Sequence, residues 1–398
     1  MSLKIADRSA VDAFRVMDVM RAAKFAEQSG RAVYHLEVGQ PGTPAPTAAR
    51  EAVKRAVDDQ TLGYTLALGT DELRAGIAVL YQRWYGLDLS PARITVTQGA
   101  SGGFALAFLT AFDAGDRVAL ATPGYPCYRN ILSALGLEAV EIMTGPDTHY
   151  QPTVEALNGL QGPIDGLILA SPSNPTGSML SPEAFGAINE WCRDRGVRLI
   201  SDEIYHGLTY GTPEVTAAAI NDDAFVVNSF SKYFSMTGWR VGWLVVPENM
   251  IRSLERLQGN MTICSPAVSQ IAALGALEAT EELEALKDGY RRNRTVLRDA
   301  LIAGGISEIS APDGAFYLYA KVDHLTDDAV ALCRKILEET GVAITPGADF
   351  DPQRGHHFMR LSYCTDETAV RTAADLLASW LREQPRLRYH QRPALKQG

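Results

Sequence analysis

Side chains with reactive groups follow three apolar, β-branched segments of the chain, at the point where each segment ends. They are Asn174 after segment 166–170, Asp202 after segment 197–201 and Lys232 after segment 225–228. Ligands of open parallel sheets bind beyond the carboxyl ends of the strands, so we expect these side chains to meet in one site. The amine of Lys232 is then the candidate for covalent chemistry, and the carboxylate of Asp202 is the candidate for holding a cationic group.

A segment of small residues, 99–103 (GASGG), lies between the strand-like segment 94–97 and a helical one. Backbone N–H groups at the start of a helix bind anions, and glycine lets an anion approach the backbone closely. Ser229 and Arg240, near Lys232 in the sequence, add a hydroxyl and a guanidinium, which are common phosphate ligands. The sequence therefore predicts a phosphate site beside Lys232.

Strand-like and helical segments alternate between residues 47 and 290. The predicted strands are 94–97, 117–122, 166–170, 197–201, 225–228 and 241–246, and the predicted helices include 71–85, 102–112, 126–135 and 182–195. Short apolar strands that alternate with helices indicate a mainly parallel sheet covered on both faces. This α/β region, 47–290, is the predicted large domain.

The remaining segments predict a second, smaller α+β domain. A helical stretch over 267–303 leads away from the sheet, and the pattern over 310–385 is strand, helix, strand, strand, helix. We assign 291–385 to this domain and expect the N-terminal segment 1–46, with helical periodicity over 9–29, to join it. Residues 386–398 are predicted to be a polar tail.

The composition excludes several classes of protein. A formal net charge of −10 over 398 residues disfavours nucleic acid and anionic membranes as partners. No apolar stretch is long enough to span a bilayer, and the first residues lack the order of a signal peptide, so a cytoplasmic protein is expected. The histidines show no metal-ligand spacing, and no metal site is predicted.

Four motifs, taken together and in order, resemble a known enzyme family. They are Gly63-Tyr64-Thr65, Asn174-Pro175-Thr176-Gly177, Asp202-Glu203-Ile204-Tyr205, and Ser229-Phe230-Ser231-Lys232 followed by Gly238-Trp239-Arg240. This set is similar to the motifs of class I/II aminotransferases, the pyridoxal-phosphate (PLP) enzymes of fold type I. The similarity extends from Val38-Gly39 to Arg360-Leu361-Ser362-Tyr363. The resemblance implies a large domain with a mainly parallel, seven-stranded sheet covered by helices, plus a smaller α+β domain.

The resemblance also implies roles for individual residues. Lys232 would form the imine with PLP, and Asp202 would keep the pyridine nitrogen of PLP protonated. Arg360 would bind the substrate α-carboxylate with help from Asn174, and Gly39 would close over the substrate. The Asn174-Pro175 peptide bond would be cis. The implied cofactor-binding residues are Gly99, Ala100, Ser101, Tyr125, Asn174, Asp202, Tyr205, Ser229, Lys232 and Arg240, with Tyr64 of the partner subunit in a homodimer with shared sites.

The implied reaction moves an amino group from an α-amino acid to a 2-oxo acid by a ping-pong mechanism. Many bacterial aspartate-type relatives have a lysine where this chain has Ser101. Another aspartate subgroup has an arginine in the region that lies here between Leu257 and Tyr290, where this chain has none. An apolar, aromatic or broad substrate range is therefore favoured over strict aspartate specificity.

Other functions remain open at this stage. A PLP-dependent C–S β-lyase has the same cofactor pocket and is the main alternative. A serine hydrolase is more distant: Gly99-Ala100-Ser101-Gly102-Gly103 satisfies G-x-S-x-G, with Asp202 and either His356 or His357 downstream. A PLP-dependent transcription regulator would need a DNA-binding domain, for which too few residues precede the motifs. No G-x-G-x-x-G follows a strand, which disfavours a nicotinamide dehydrogenase.

Overall fold

The computed structural model describes residues 3–385, which contain twelve α-helices and twelve strands. The helices are α1 (Arg15–Gln28), α2 (Thr47–Asp59), α3 (Asp71–Tyr85), α4 (Gly99–Ala111), α5 (Cys127–Leu135), α6 (Val154–Asn158), α7 (Pro182–Arg195), α8 (Ile251–Met261), α9 (Ala267–Ala276), α10 (Thr280–Ala303), α11 (Ala329–Thr340) and α12 (Glu367–Glu383). The strands are β1 (Tyr34–His35), β2 (Ile94–Thr97), β3 (Arg117–Thr122), β4 (Glu138–Met143), β5 (Gly166–Ala170), β6 (Arg198–Asp202), β7 (Phe225–Ser229), β8 (Gly242–Val245), β9 (Tyr317–Lys321), β10 (Val342–Ala343), β11 (Thr345–Pro346) and β12 (Phe358–Ser362).

The central element is a seven-stranded sheet in the order β2-β8-β7-β6-β5-β3-β4. Every neighbouring pair is parallel except the two that involve β8, which runs antiparallel to β2 and to β7. The residues of β2, β7 and β8 are all buried, because helices cover both faces of the sheet. The predicted fold class, a mainly parallel sheet in an α/β domain, is confirmed.

The sheet topology brings the reactive residues to one edge. Parallel strands end at the same edge, so β2, β5, β6 and β7 deliver the segments that follow them to a common place. The antiparallel strand β8 begins at this edge, where Gly242 pairs with both Thr97 and Ser229. Arg240, two residues before β8 starts, therefore lies beside the segments that follow β2 and β7.

The smaller lobe is built from both ends of the chain. Strands β11, β12 and β9 form an antiparallel sheet, and β1 pairs with β10 in parallel. Helices α10 and α12 pack against each other. The predicted domain boundary at residue 290 falls within α10, and the predicted tail 386–398 lies outside the described residues.

Several elements of the structure differ from the prediction. Strand β4 was not predicted, because two glutamates interrupt its apolar residues, as suits a partly exposed strand at the edge of the sheet. The helix predicted over 267–303 is two helices, α9 and α10, separated at 277–279. The helix predicted within 9–29 begins only at Arg15.

Two kinds of feature are absent from residues 3–385. None of the helices there is both long enough and apolar enough to cross a bilayer. In the same residues no three side chains of histidine, cysteine, aspartate or glutamate are grouped so that they could hold a metal ion.

Candidate active site

One cavity lies beyond the carboxyl edge of the sheet and is lined by both lobes. The predicted site residues that line it are Gly39, Ala100, Ser101, Tyr125, Asn174, Asp202, Tyr205, Lys232, Arg240 and Arg360. The structure thus brings together residues that are up to several hundred positions apart in the sequence. Two further predicted residues, Gly99 and Ser229, lie directly behind the cavity wall, and Tyr64 lies elsewhere.

The amine of Lys232 lies among these cavity-lining residues. Its Nζ donates a hydrogen bond of 2.6 Å to the carbonyl oxygen of Gly39 and lies 5.9 Å from the ring centroid of Tyr205. Burial, together with the nearby positive charges of Arg360 and Arg240, lowers the pKa of Lys232 to about 8. A lysine of this kind can act as a nucleophile or a base near neutral pH.

The carboxylate of Asp202 is buried at the end of β6, in the middle of the sheet. It accepts a hydrogen bond from the hydroxyl of Tyr128 and one of 3.1 Å from the N–H of Ile204. Burial raises the pKa of Asp202 to about 6, while these hydrogen bonds act in the opposite direction. Sequence reasoning missed Tyr128, although its position three residues after Tyr125, near the start of α5, placed the two tyrosines close together.

The predicted anion site is formed at the start of α4. Gly99 has a positive φ of 70°, and a β-carbon there would lie 2.5 Å from Nη2 of Arg240. Only glycine lets the guanidinium of Arg240 pack this closely against the first turn of α4. Ala100 and Ser101 continue that turn into the cavity. Their N–H groups and the positive charge of Arg240 together suit a phosphate.

The hydroxyl of Ser229 stabilises the turn that leads to Lys232. It accepts a hydrogen bond of 3.1 Å from the N–H of Ser231 and donates one of 3.0 Å to the carbonyl oxygen of Val241. Of these two serines, Ser231 is the one that lines the cavity. The sequence analysis named Ser229, and not Ser231, for the phosphate site.

Arg360 presents a guanidinium on the other side of the cavity. Its Nη1 donates to Oδ1 of Asn174 over 3.0 Å, and its Nη2 donates to the carbonyl oxygen of Glu37. The guanidinium lies between two rings, 4.5 Å from the centroid of Tyr317 and 4.7 Å from that of Phe350. A guanidinium held in this way is oriented to bind a carboxylate with two parallel hydrogen bonds.

Tyr317 is a second residue that sequence reasoning missed. Its hydroxyl is 2.8 Å from the hydroxyl of Tyr205, and a β-carbon on Gly39 would lie 1.7 Å from it. Gly39 therefore has to be glycine, because any side chain would displace Tyr317. The only signal in the sequence was the position of Tyr317 in a predicted strand of the smaller lobe.

The geometry excludes the catalytic triad on which the serine-hydrolase alternative depends. Among residues 3–385, neither His356 nor His357 lines the cavity that contains Ser101. The side-chain hydrogen bond of Asp202 comes from the hydroxyl of Tyr128 rather than from a histidine. A Ser-His-Asp triad needs a histidine within hydrogen-bonding reach of the serine, so these residues do not form a catalytic triad.

Two other predictions concern positions around the cavity. The Asn174-Pro175 peptide bond is cis, as predicted, and so are Thr122-Pro123 and Ser171-Pro172. Tyr64 lies in the loop before α3, is 83% exposed, and does not line the cavity of its own chain.

Comparison with known proteins decides the family. The family model described as aminotransferase class I and II matches residues 31–377. The chain belongs to this family. This aminotransferase is 49% identical over 388 residues to the valine–pyruvate aminotransferase of Mycobacterium tuberculosis, covering 96% of this chain and 100% of that protein. It is 33% identical over 372 residues to an aspartate aminotransferase of Thermotoga maritima, covering 92% and 96%.

The fold agrees with the family. The crystal structure of an aminotransferase from Mycobacterium tuberculosis superimposes with a TM-score of 0.94 at 48% identity, covering 96% of this chain and 100% of that one. The predicted recognition, the fold type and the assignment as a PLP-dependent transaminase are confirmed. Members of this family use PLP.

The low pKa of Lys232 leads to a prediction about its reactivity. In protein prepared without bound ligands, the neutral amine should appear as the pH rises through about 8. Competitive acetylation followed by mass spectrometry should give a half-maximal rate for Lys232 near that pH, against about 10.4 for a lysine in a model peptide. The exposed Lys54 serves as an internal reference for the reagent. A half-maximal rate above pH 10 at Lys232 would contradict the effect of burial.

Proposed function

We propose that this aminotransferase moves an amino group from an apolar or aromatic α-amino acid, or from a broad set of them, to a 2-oxo acid by a ping-pong mechanism. The observation that carries the proposal is the cavity in which Lys232 and Asp202 lie opposite Arg360. An amine, a buried carboxylate and a carboxylate-binding guanidinium are the groups that transamination of an amino acid needs.

The residues present fit PLP. The close approach of Gly99 to Arg240 at the start of α4 suits the phosphate. Tyr125 and Asp202 would hold the ring, Asn174 and Tyr205 its phenolate oxygen, and Lys232 its aldehyde carbon. When bound, PLP supplies an electron sink for the electron pair that remains after the α-proton of the substrate leaves.

The chain's own groups perform the remaining steps. Arg360 binds the α-carboxylate of the amino acid, with the amide of Asn174 beside it. Nζ of Lys232 accepts the α-proton, because a pKa of about 8 leaves part of the amine neutral at physiological pH. Asp202, held by Tyr128, provides the negative charge that stabilises a protonated ring nitrogen.

The side-chain half of the cavity supports an apolar substrate. The cationic residues that line the cavity within 3–385 are Lys232, Arg240 and Arg360, and each already has a role. Phe14, Val16 and other apolar side chains form the opposite wall. The relative named valine–pyruvate aminotransferase, at 49% identity, adds support for an apolar amino acid as donor and pyruvate as one acceptor.

A homodimer with shared sites is part of the proposal. Tyr64 and Leu66 are 83% and 64% exposed in a loop that leads to α3. Large apolar side chains in such a loop are typical of an interface. In a two-fold dimer Tyr64 would reach the phosphate site of the partner subunit.

The first prediction from this proposal concerns the cofactor bond and the reaction. Protein loaded with PLP should convert valine and 2-oxoglutarate or pyruvate to the exchanged products, and borohydride should fix PLP on a Lys232 peptide. The Lys232→Ala variant should show neither amino transfer nor fixation of PLP by borohydride. The Lys54→Ala variant, changed at an exposed position, should show both. Label on another lysine would contradict the role of Lys232. Release of ammonia and pyruvate from a cysteine conjugate, without amino transfer, would favour a β-lyase.

The second prediction concerns Arg360. Arg360→Lys keeps the charge but loses the planar fork, so kcat/KM should fall by roughly 10- to 100-fold for every amino acid, whatever its side chain. Steady-state kinetics with a panel of donors measures this. Arg371→Lys, at an exposed ion pair on α12, is the matched control and should change little. A loss confined to one class of side chain would mean that Arg360 recognises the side chain instead.

The third prediction concerns the shared site. Mixing Lys232→Ala subunits with Tyr64→Phe subunits creates dimers in which one site has both defects and the other has none. If half of the dimers are mixed, roughly a quarter of wild-type activity should return beyond that of the parents. Activity assays after mixing and reassembly measure this. If mixing restores nothing, Tyr64 does not serve the partner subunit.

A further inference from the structure

The first turns of α1 form one wall of the active-site cavity. The side chains that contribute are Phe14, Val16, Met17 and Met20. Residues three and four positions apart share a helix face, so these apolar groups point the same way. Arg15 and Asp18, on the other side, line a separate cavity against α11. The helix therefore turns Val16, Met17 and Met20 toward the active-site cavity, and it turns a face that includes Arg15 and Asp18 toward α11.

The start of α1 is held by a carboxylate from the smaller lobe. Oδ1 of Asp349 accepts a hydrogen bond of 2.9 Å from the N–H of Arg15, and Oδ2 accepts one of 2.8 Å from the N–H of Val16. The residue at the N-cap position, Phe14, has no side-chain acceptor for these groups. Asp349 therefore replaces the missing N-cap, and its charge interacts favourably with the helix dipole.

The turn that carries Asp349 also contacts Arg360. The ring of the next residue, Phe350, lies 4.7 Å from the guanidinium of Arg360 and belongs to the same apolar cluster as Val16. Arg129 of the large lobe donates a hydrogen bond of 3.2 Å to the carbonyl oxygen of Phe350. One turn thus contacts the carboxylate-binding group, the apolar wall and the large lobe.

We propose that Asp349 is a positioning residue for substrate selection, because it sets the apolar wall of α1 at a defined distance from Arg360. The α-carboxylate and the apolar side chain of an amino acid are then bound together. Asp349 itself does not line the cavity, so it acts through α1. This inference rests on the proposed function, since it assigns the side-chain subsite of the same reaction.

The test distinguishes displacement of the apolar wall of α1 from the general effect of removing a helix cap. In Asp349→Ala the ratio of kcat/KM for valine to that for alanine should fall about fivefold, mainly through KM for valine. Asp349→Asn, which keeps one acceptor oxygen, should recover part of the ratio. Asp328→Ala is the matched control: Asp328 accepts two backbone N–H groups at the start of α11, and its loss should leave the ratio unchanged.

Binding without reaction gives a second measurement. Isovalerate has the branched end of valine and a carboxylate but no amino group, and acetate has the carboxylate alone. Calorimetry with PLP-loaded protein should show about fivefold weaker binding of isovalerate to Asp349→Ala and unchanged binding of acetate. Equal losses for both ligands, or an unchanged valine-to-alanine ratio in a folded variant, would overturn the proposal.

Assays of the wild-type protein distinguish a failure of the proposed function from a failure of the role proposed for Asp349. A wild-type protein that neither binds PLP nor transaminates refutes the proposed function itself. A wild-type protein that transaminates, together with an Asp349→Ala variant that keeps the wild-type ratio, refutes only the role of Asp349.

Discussion

Burying charged groups in one cavity is the constraint on which the rest of the structure depends. A buried carboxylate or guanidinium costs free energy unless hydrogen bonds replace the water it has lost. Asp202 receives hydrogen bonds from Tyr128 and from a backbone N–H, and Arg360 donates to Asn174 and to a backbone carbonyl. The amine of Lys232 likewise donates to a carbonyl oxygen. The backbone around the cavity is shaped to supply these partners.

Those partners come from both lobes, so the site exists only when the lobes are packed together. Arg360 belongs to β12 of the smaller sheet, while Asn174 follows β5 of the large one. Asp349, in the smaller lobe, caps a helix that starts near the other end of the chain. The orientation of Arg360 and of the apolar wall is therefore a property of the packing between the lobes, and no single domain determines it.

Local patterns predicted most of the large sheet and of the site. Buried parallel strands are continuous apolar segments, and the residues that follow them are short, polar and distinctive, which made Asp202 and Lys232 recognisable. Patterns failed where the environment differed from this rule. Strand β4 lies at the edge of the sheet and is partly exposed, so two glutamates interrupt its apolar sequence. Tyr317 and Tyr128 were missed because an aromatic residue in a predicted strand or helix looks like ordinary core.

The sequence by itself determined the fold class, the family and the set of groups that could do chemistry, because hydrophobic periodicity and short motifs are local properties of the chain. Only the tertiary structure decided where α1 begins, since its cap comes from Asp349, more than three hundred residues away. It also decided which glycines are obligatory: Gly39 and Gly99 are required by Tyr317 and Arg240, which approach them from distant segments. Contacts of this kind depend on distances between elements, and no local pattern of residues records those distances.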